Sequence, residues 1–203
     1  GSVDLGYTTA DATNNNDAAG GGYGQITVNA GGTFIANVIN VGGVTKLSAN
    51  NIITLNGGTL IVSNTIAGPD KMIDTLSMSD ATLTLFVNGA NSTPYVYTTN
   101  LLTGGSVNTI DIASLTGVSS YPAQIPLIAY GSAAPNFVVT LPSGLYGYIL
   151  NNTANNTIDV VVDTTPPASV VWSGTQDGNW DHSTKNWNGG TAAFADGDFV
   201  TLD

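Results

Sequence analysis

Two pairs of tyrosines carry the spacing best suited to ligand binding in this 203-residue chain. Tyr95 and Tyr97 lie two positions apart, as do Tyr146 and Tyr148. Residues i and i+2 of a β-strand point to the same face, so each pair would present two rings side by side. Such rings can stack on the apolar face of a sugar. We therefore expect a ligand site at Tyr146 and Tyr148 with Phe86 on the same flank, and a second candidate strip at Tyr95 and Tyr97.

The same tyrosines also have a purely structural interpretation. They can fill irregular corners of the fold, with the ring buried and the hydroxyl in water. Neither tyrosine pair has an Arg or Lys near it in the sequence, which favours an uncharged glycan over an acidic one such as pectin.

A loop near the C-terminus has oxygen-bearing side chains at alternate positions, as calcium-binding loops do. These residues are Asp177, Asn179, Asp181 and Ser183. However, His182 occupies the position where such a loop needs glycine, and Asn188 stands where a bidentate glutamate is required. An Asx-rich turn between two strands is the favoured interpretation. We therefore expect no cofactor, with a structural calcium ion at this loop as the lesser alternative.

Catalytic chemistry is poorly supported by the residues available. The chain contains no Arg, Glu or Cys, and its three lysines, Lys46, Lys71 and Lys185, are far apart. A Ser-His-Asp triad would have to use His182, which has no nucleophile-elbow motif near it. A glycosidase needs two carboxylates about 5–9.5 Å apart, and no spacing of the aspartates predicts such a pair. We expect the protein not to be an enzyme.

The composition describes an acidic but weakly charged surface. Only 8% of residues are charged, against about a quarter in ordinary globular domains, and the net charge is −11. Nucleic acid and membrane surfaces are therefore not expected as partners, because both require basic patches. Hydrophobic residues make up 42% of the chain, and the mean hydropathy is +0.15, so a sizeable core can form.

A repeat in residues 26–85 predicts the strands and turns that position these residues. A short strand, a turn rich in Gly, Asn or Asp, and a second strand occur three times, with a weaker fourth copy at residues 100–107. Aligned on Thr33, Thr59, Thr82 and Ser106, the copies are 26, 23 and 24 residues apart. Three strands of about five residues with three turns of about three make one coil of a solenoid. We predict an all-β, right-handed parallel β-helix whose inward columns are Ile26/Ile53/Leu76, Val28/Leu55/Met78 and Phe34/Leu60/Leu83/Val107.

The chain divides into three parts on this interpretation. Residues 1–24 form an N-terminal approach or cap, residues 25–163 form the parallel β-helix, and residues 164–203 comprise a proline linker and a Trp-rich segment. That segment contains all three tryptophans of the chain. It is too short to bury a core alone, so we expect it to pack on the β-helix as a cap over the open strand edge.

The Trp-rich segment also carries a family resemblance. Its motifs, in order, are V-W-x-G at residues 171–174, G-N-W-D at 178–181, N-W at 186–187 and F-x-D-G-D-x-V at 194–200. With IPLIAY at 125–130 and NNTANNTIDVVV at 151–162, they resemble the module junction of autotransporter-associated β-strand repeat proteins. Those proteins are large, exported, bacterial and β-helical. The resemblance implies that Trp172, Trp180 and Trp187 are structural fixtures of the junction, with sugar contact as the alternative.

Three function classes remain open, of which a non-catalytic carbohydrate-binding module is preferred. The chain resembles β-helical carbohydrate-binding modules of xylan-degrading enzymes, which implies a neutral plant cell-wall glycan such as xylan as partner. It also implies a bacterial protein, secreted or at the cell surface, tethered to other domains of a longer chain; Gly1-Ser2 resembles a cloning scar. The main alternative is a structural stalk or adhesin-type passenger without a small ligand. A β-helical hydrolase or lyase is disfavoured.

Overall fold

The computed structural model describes residues 1–5, 24–41, 51–133 and 135–202, and in this part of the chain every regular element is a β-strand. The strands, numbered in chain order, are β1 (Ser2–Leu5), β2 (Gly24–Asn29), β3 (Thr33–Val41), β4 (Asn51–Asn56), β5 (Thr59–Ile66), β6 (Ile73–Ser79), β7 (Thr82–Asn88), β8 (Val96–Gly104), β9 (Asn108–Thr116), β10 (Ala123–Ala133), β11 (Phe137–Thr140), β12 (Tyr146–Asn152), β13 (Thr157–Asp163), β14 (Ser169–Trp172) and β15 (Phe199–Leu202). With no helix in these ranges, none of the described residues forms a helix that could cross a membrane.

Parallel strands of successive coils stack to form a β-solenoid of about six turns, which confirms the predicted fold class. On one face β2, β4, β6 and β8 pair in sequence. On another face β1, β3, β5, β7, β9 and β11 do the same. Strands β2 and β4 alternate buried residues with more exposed ones, because one side of the sheet faces the core and the other faces solvent.

The inward columns predicted from the repeat are confirmed over the first three coils. Ile26 pairs with Ile53 and Ile53 with Leu76, and all three are buried. The column through Val28, Leu55 and Met78 and the column through Phe34, Leu60 and Leu83 stack in the same way. These contacts form the centre of a continuous apolar core.

In the column of Phe34, Leu60 and Leu83, the fourth member is Ile110. The prediction that Val107 would take this place is wrong. Leu83 pairs with Ile110, and Thr82 pairs with Thr109, 27 residues further along the chain. Val107 lies exposed in the turn before β9. The turn before β9, residues 105–107, is one residue longer than the turn before β7, residues 80–81, and β9 starts later than the repeat predicts.

The turns before β3, β5, β7 and β9 each contain one residue with positive φ: Gly31, Gly57, Asp80 and Gly105, respectively. Asp80 is the one member of this set that is not glycine, and its side chain explains why the next turn is longer. Its Oδ1 accepts hydrogen bonds from the Ser106 amide at 2.6 Å, the Ser106 hydroxyl at 3.0 Å and the Val107 amide at 3.2 Å. The backbone hydrogen bonds from Ser106 and Val107 lower the pKa of Asp80. The carboxylate therefore fastens two successive turns together.

The two ends of the solenoid are built differently. At the start, β1 pairs in parallel with β3, so residues 2–5 add a strand to the edge of the first coil. The rest of the predicted cap, residues 6–23, lies outside the described residues. At the other end, β10 pairs in parallel with β8 but antiparallel with β13, which pairs antiparallel with β12. The parallel stack thus finishes in an antiparallel hairpin, where a further parallel coil was predicted.

A buried carboxylate fixes this terminal hairpin. Asp159 on β13 accepts hydrogen bonds from Gln124 Nε2 on β10 at 2.6 Å and from Asn152 Nδ2 on β12 at 2.9 Å. Asp159 is buried, and both donors bond to its Oδ2, whereas its buried Oδ1 has no hydrogen-bond partner among the described residues. One side chain thereby sets the positions of three neighbouring strands.

The C-terminal segment forms a small structure of its own. Strands β14 and β15 pair in parallel as a separate two-stranded sheet. The segment reaches the solenoid at the turn of residues 195–198, where Tyr148 and Asp196 are within 3.5 Å and Gly197 lies against the Tyr148 ring. The contact joins the segment to the outer face of the terminal hairpin.

Adjacent leucines on β8 provide a test of the inward columns. Leu101 stacks on Leu76 and is fully buried, whereas Leu102 is 51% exposed on the opposite face of the strand. We expect Leu101→Ala to lower the free energy of unfolding by about 2–5 kcal/mol, because it leaves a cavity in the core. The control Leu102→Ala should change it by about 0.5 kcal/mol or less. Chemical denaturation of both variants measures this, and equal losses would contradict the assigned inward face.

Candidate ligand-binding cleft

A cleft of about 350 Å³ lies where the terminal hairpin, the proline linker and the turn of residues 195–198 meet. Its lining combines two tyrosines, three prolines and three aspartates with smaller groups. The lining residues are Pro122, Tyr146, Gly147, Tyr148, Val161, Asp163, Thr165, Pro166, Pro167, Ala195, Asp196, Gly197 and Asp198. Apolar walls with a few converging polar groups are typical of binding sites for small molecules and sugars.

Strand alternation places both cleft tyrosines on the outer face of β12. Leu145 and Ile149 pack against the core, so Tyr146 and Tyr148 point the other way. Tyr146 is 39% exposed, whereas Tyr148 is half-buried under the turn of residues 195–198. Gly147 between them has no room for a side chain, since a Cβ there would lie 2.1 Å from a backbone oxygen of β13. The predicted outward orientation of this tyrosine pair is confirmed.

Asp196 joins the cleft to the C-terminal segment. The Tyr148 hydroxyl donates to Asp196 Oδ2 at 3.5 Å, and His182 Nε2 lies 2.9 Å from Asp196 Oδ1. Burial raises the pKa of Tyr148, and the negative charge of Asp196 raises it further. The hydroxyl therefore stays protonated and able to donate, while the exposed carboxylate of Asp196 offers lone pairs to a ligand hydroxyl.

The other two carboxylates shape the walls of the cleft. Asp198 accepts hydrogen bonds from the Ala168 amide at 2.8 Å and the Ala195 amide at 2.9 Å, and so holds the linker against the 195–198 turn. Asp163 accepts from the amides of the two residues that follow it, at 2.6 and 3.0 Å. Those backbone hydrogen bonds lower the pKa of Asp163. Both carboxylates are therefore already bonded to the backbone.

The expectation that Tyr95 and Tyr97 form an exposed strip is wrong. Both side chains are buried. The Tyr95 hydroxyl donates to the Asn88 carbonyl at 3.0 Å and accepts from the Asn88 amide at 2.6 Å. The chain enters β8 at a corner of the coil, where residues 95–98 are all buried, so alternation does not bring the rings to the surface. These tyrosines fill a corner, as the structural alternative proposed, although the Tyr95 hydroxyl bonds to protein.

Phe86 is exposed, at 40%, but does not line the cleft. It lies on β7 at a register shift between Leu85 and Phe86, opposite Ser114 of β9.

The cleft residues that the sequence did not predict are Asp163, Asp196 and the linker prolines. Asp196 and Asp198 lie in a turn, in which the Asp198 amide donates to the Ala195 carbonyl at 3.1 Å. Nothing in the sequence indicated that this turn would face Tyr148.

The three tryptophans form one aromatic cluster with unequal exposure. Trp187 is fully buried at its centre, with its ring edge-on to Trp172 at 5.0 Å and to Trp180 at 4.8 Å between centroids. Trp172 and Trp180 lie nearly parallel, 6.1 Å apart with 18° between the ring planes. Trp172 is half-buried, whereas Trp180 is 52% exposed.

Asn186 organises the loop around this cluster. Its buried amide group accepts from the amides of Gln176 at 2.8 Å and Asp177 at 3.0 Å, and donates to the Asn179 carbonyl at 2.9 Å. Asp181 accepts four hydrogen bonds from the backbone amides and hydroxyls of Ser183 and Thr184 in the same loop. This loop therefore has the Asx-turn geometry that the sequence favoured over a calcium loop. In the described ranges, no three His or acidic side chains form a group that can hold a metal ion.

Comparison with known proteins adds no relative. No protein-family model, curated protein or solved structure matches the chain. The functional argument therefore rests on the residues and geometry of the cleft and the aromatic cluster.

Acid should destabilise the Trp-rich segment. Backbone hydrogen bonds from Thr184 and Ser183 lower the pKa of Asp181 far below its usual 3.8, and the backbone hydrogen bond from Asn179 lowers that of Asp177. A carboxylate with a lowered folded-state pKa contributes stability that is complete above 3.8 and is lost as pH falls through the folded-state value. We expect tryptophan emission to report melting at lower temperature as pH falls below about 4.

The variant Asp181→Asn isolates this contribution, because it keeps the shape of the side chain and removes the titration. At pH 6 it should melt earlier than the parent, and between pH 4 and pH 2 its melting temperature should change less steeply. Identical slopes for parent and variant would show that Asp181 does not govern the acid response.

Proposed function

We propose that this protein is a non-catalytic carbohydrate-binding module that holds a neutral polysaccharide in the cleft at Tyr146 and Tyr148. The observation that carries the proposal is the pairing, in one open cleft, of two outward tyrosines with the exposed carboxylate of Asp196. A sugar ring has an apolar face that packs on aromatic rings and equatorial hydroxyls that need acceptors. The cleft supplies both kinds of contact.

The charges around the cleft favour a neutral ligand. Three aspartates and no lysine are found among the described residues that line it, and the whole chain carries a net charge of −11. A uronic-acid polymer would meet like charges, which costs binding energy that a neutral chain does not lose. A plant cell-wall glycan such as xylan fits this surface. In this proposal the module is secreted or displayed by a bacterium and tethered to a polysaccharide-degrading enzyme.

The carboxylates argue for binding over hydrolysis. A glycosidase requires one carboxylic acid whose pKa is raised so that it can protonate the leaving group. The hydrogen bonds at Asp163 act in the opposite direction and lower its pKa. Asp198 accepts from two backbone amides, one at each carboxylate oxygen, so both oxygens are already engaged with the protein. These groups are suited to holding the cleft together and accepting hydrogen bonds.

A structural stalk or adhesin-type passenger is the second candidate, and β15 favours it. All four residues of this strand are exposed, among them Phe199, Val200 and Leu202. An apolar strand with a free edge is a site where another strand can add. In this alternative the tyrosine cleft has no ligand, and the molecule acts through contacts between chains.

Affinity electrophoresis against xylan, mixed-linkage glucan and polygalacturonate tests the proposal. We expect retardation by a neutral glycan and none by polygalacturonate. An open cleft covers little of each sugar, so the dissociation constant should lie at about 10 μM to 1 mM. Tyr146→Ala and Tyr148→Ala should each weaken binding about tenfold, the equivalent of about 1.4 kcal/mol.

Phe86→Ala is the matched control, since Phe86 has nearly the same exposed fraction as Tyr146 but lies outside the cleft. It should leave retardation unchanged. Retardation that survives both tyrosine substitutions would refute the site, and weaker binding by Phe86→Ala would move it to the β7 surface. If none of the glycans retards the parent protein, the stalk becomes the better assignment.

A further inference from the structure

We propose that the polysaccharide continues from the cleft across the C-terminal segment and stacks a further sugar unit on Trp180. This inference rests on the proposed function and adds a second subsite to it. The ligand is then a linear neutral chain that spans two aromatic platforms, one at Tyr146 and Tyr148 and the other at Trp180.

The first observation is that Trp180 is exposed and yet held firmly. The residue is 52% exposed, although its ring contacts three other aromatic rings: Trp172 nearly parallel, and Trp187 and Phe194 edge-on. A large side chain held in place by its neighbours loses little conformational entropy when a ligand packs on it. Trp187, which is fully buried, has no surface to offer. The three tryptophans of the motif therefore have different roles.

The second observation is a continuous strip of contacting side chains between the two platforms. Tyr148 contacts Asp196, and Asp196 lies 2.9 Å from His182. The His182 ring stacks on Phe194 at 5.4 Å with 14° between the planes, and the Phe194 ring lies 5.6 Å from that of Trp180. The side chains of His182 and Asp196 are both more than half exposed. Sugar hydroxyls running along this strip would meet a carboxylate acceptor and an imidazole.

Two subsites on one polymer make affinity depend on chain length. Once one sugar unit occupies the cleft, the rest of the same chain is held at a high effective concentration near Trp180. A disaccharide reaches only one platform, whereas a hexasaccharide can reach both. The increase in affinity from the disaccharide to the hexasaccharide therefore measures the contribution of the second subsite.

The experiment titrates the disaccharide and hexasaccharide of xylan, and of mixed-linkage glucan in parallel, into the parent protein, Trp180→Ala and Trp180→Phe. For the parent we expect tighter binding of the hexasaccharide. Trp180→Ala should weaken hexasaccharide binding about three- to tenfold, as loss of one aromatic contact implies, and leave disaccharide binding unchanged. Trp180→Phe should recover most of the loss because it keeps an aromatic face.

Thermal melting followed by near-ultraviolet circular dichroism checks that Trp172 and Trp187 remain packed in each variant. If Trp180→Ala unfolds the segment, Trp180→Phe and the length dependence of the parent decide the question. Equal affinity of the parent and Trp180→Ala for the hexasaccharide would refute the Trp180 subsite and leave the cleft intact. Equal losses for both ligand lengths in a folded variant would show that Trp180 acts through the fold and would also overturn the subsite. If the parent binds neither glycan at either length, both the Trp180 subsite and the proposed function are refuted.

Discussion

The register between neighbouring coils is the constraint on which the rest of this structure depends. A coil of a solenoid buries its side chains only against the coils before and after it, so each inward residue must lie above an inward residue of the coil below. A shift of one residue would turn every apolar side chain of a strand to solvent. The columns through Leu76 and Leu83 show the stacking that results, and the left-handed turn residues keep successive strands in step.

Aspartate has an unusual share in maintaining that register. With only three lysines and no arginine in the chain, few of its fourteen aspartates can be paired with a cation. Three of the carboxylates described above accept hydrogen bonds from N–H groups of other turns and strands. Asp80 fastens one turn to the next, Asp159 holds three strands at the end of the stack, and Asp198 ties the linker to the turn above the cleft. The acidity of the protein is therefore partly a means of folding it.

The cleft exists because the solenoid ends differently from the way it began. A further parallel coil would have continued the sheet, whereas the antiparallel hairpin of β12 and β13 presents an outer face on which the chain folds back through its proline linker. Tyr146 and Tyr148 lie on that face, and the turn containing Asp196 closes over the second of them. The candidate site thus combines residues that are about fifty positions apart in the chain.

Short-range sequence patterns were enough to predict the strands, the parallel stack and the inward residues of the first three coils. The alternation of apolar residues and the composition of turns act over a few residues, and the repeat shows where each coil begins. These patterns also predicted that Tyr146 and Tyr148 would point away from the core. Only the tertiary structure decided that Ile110 replaces Val107, since the length of one turn depends on a carboxylate in the coil below. It likewise buried Tyr95 and Tyr97, because a corner of the coil is covered from more than one side. The meeting of Tyr148 with Asp196, and the exposure of Trp180 beside a buried Trp187, depend on how the segment folds back, and no short-range pattern encodes that.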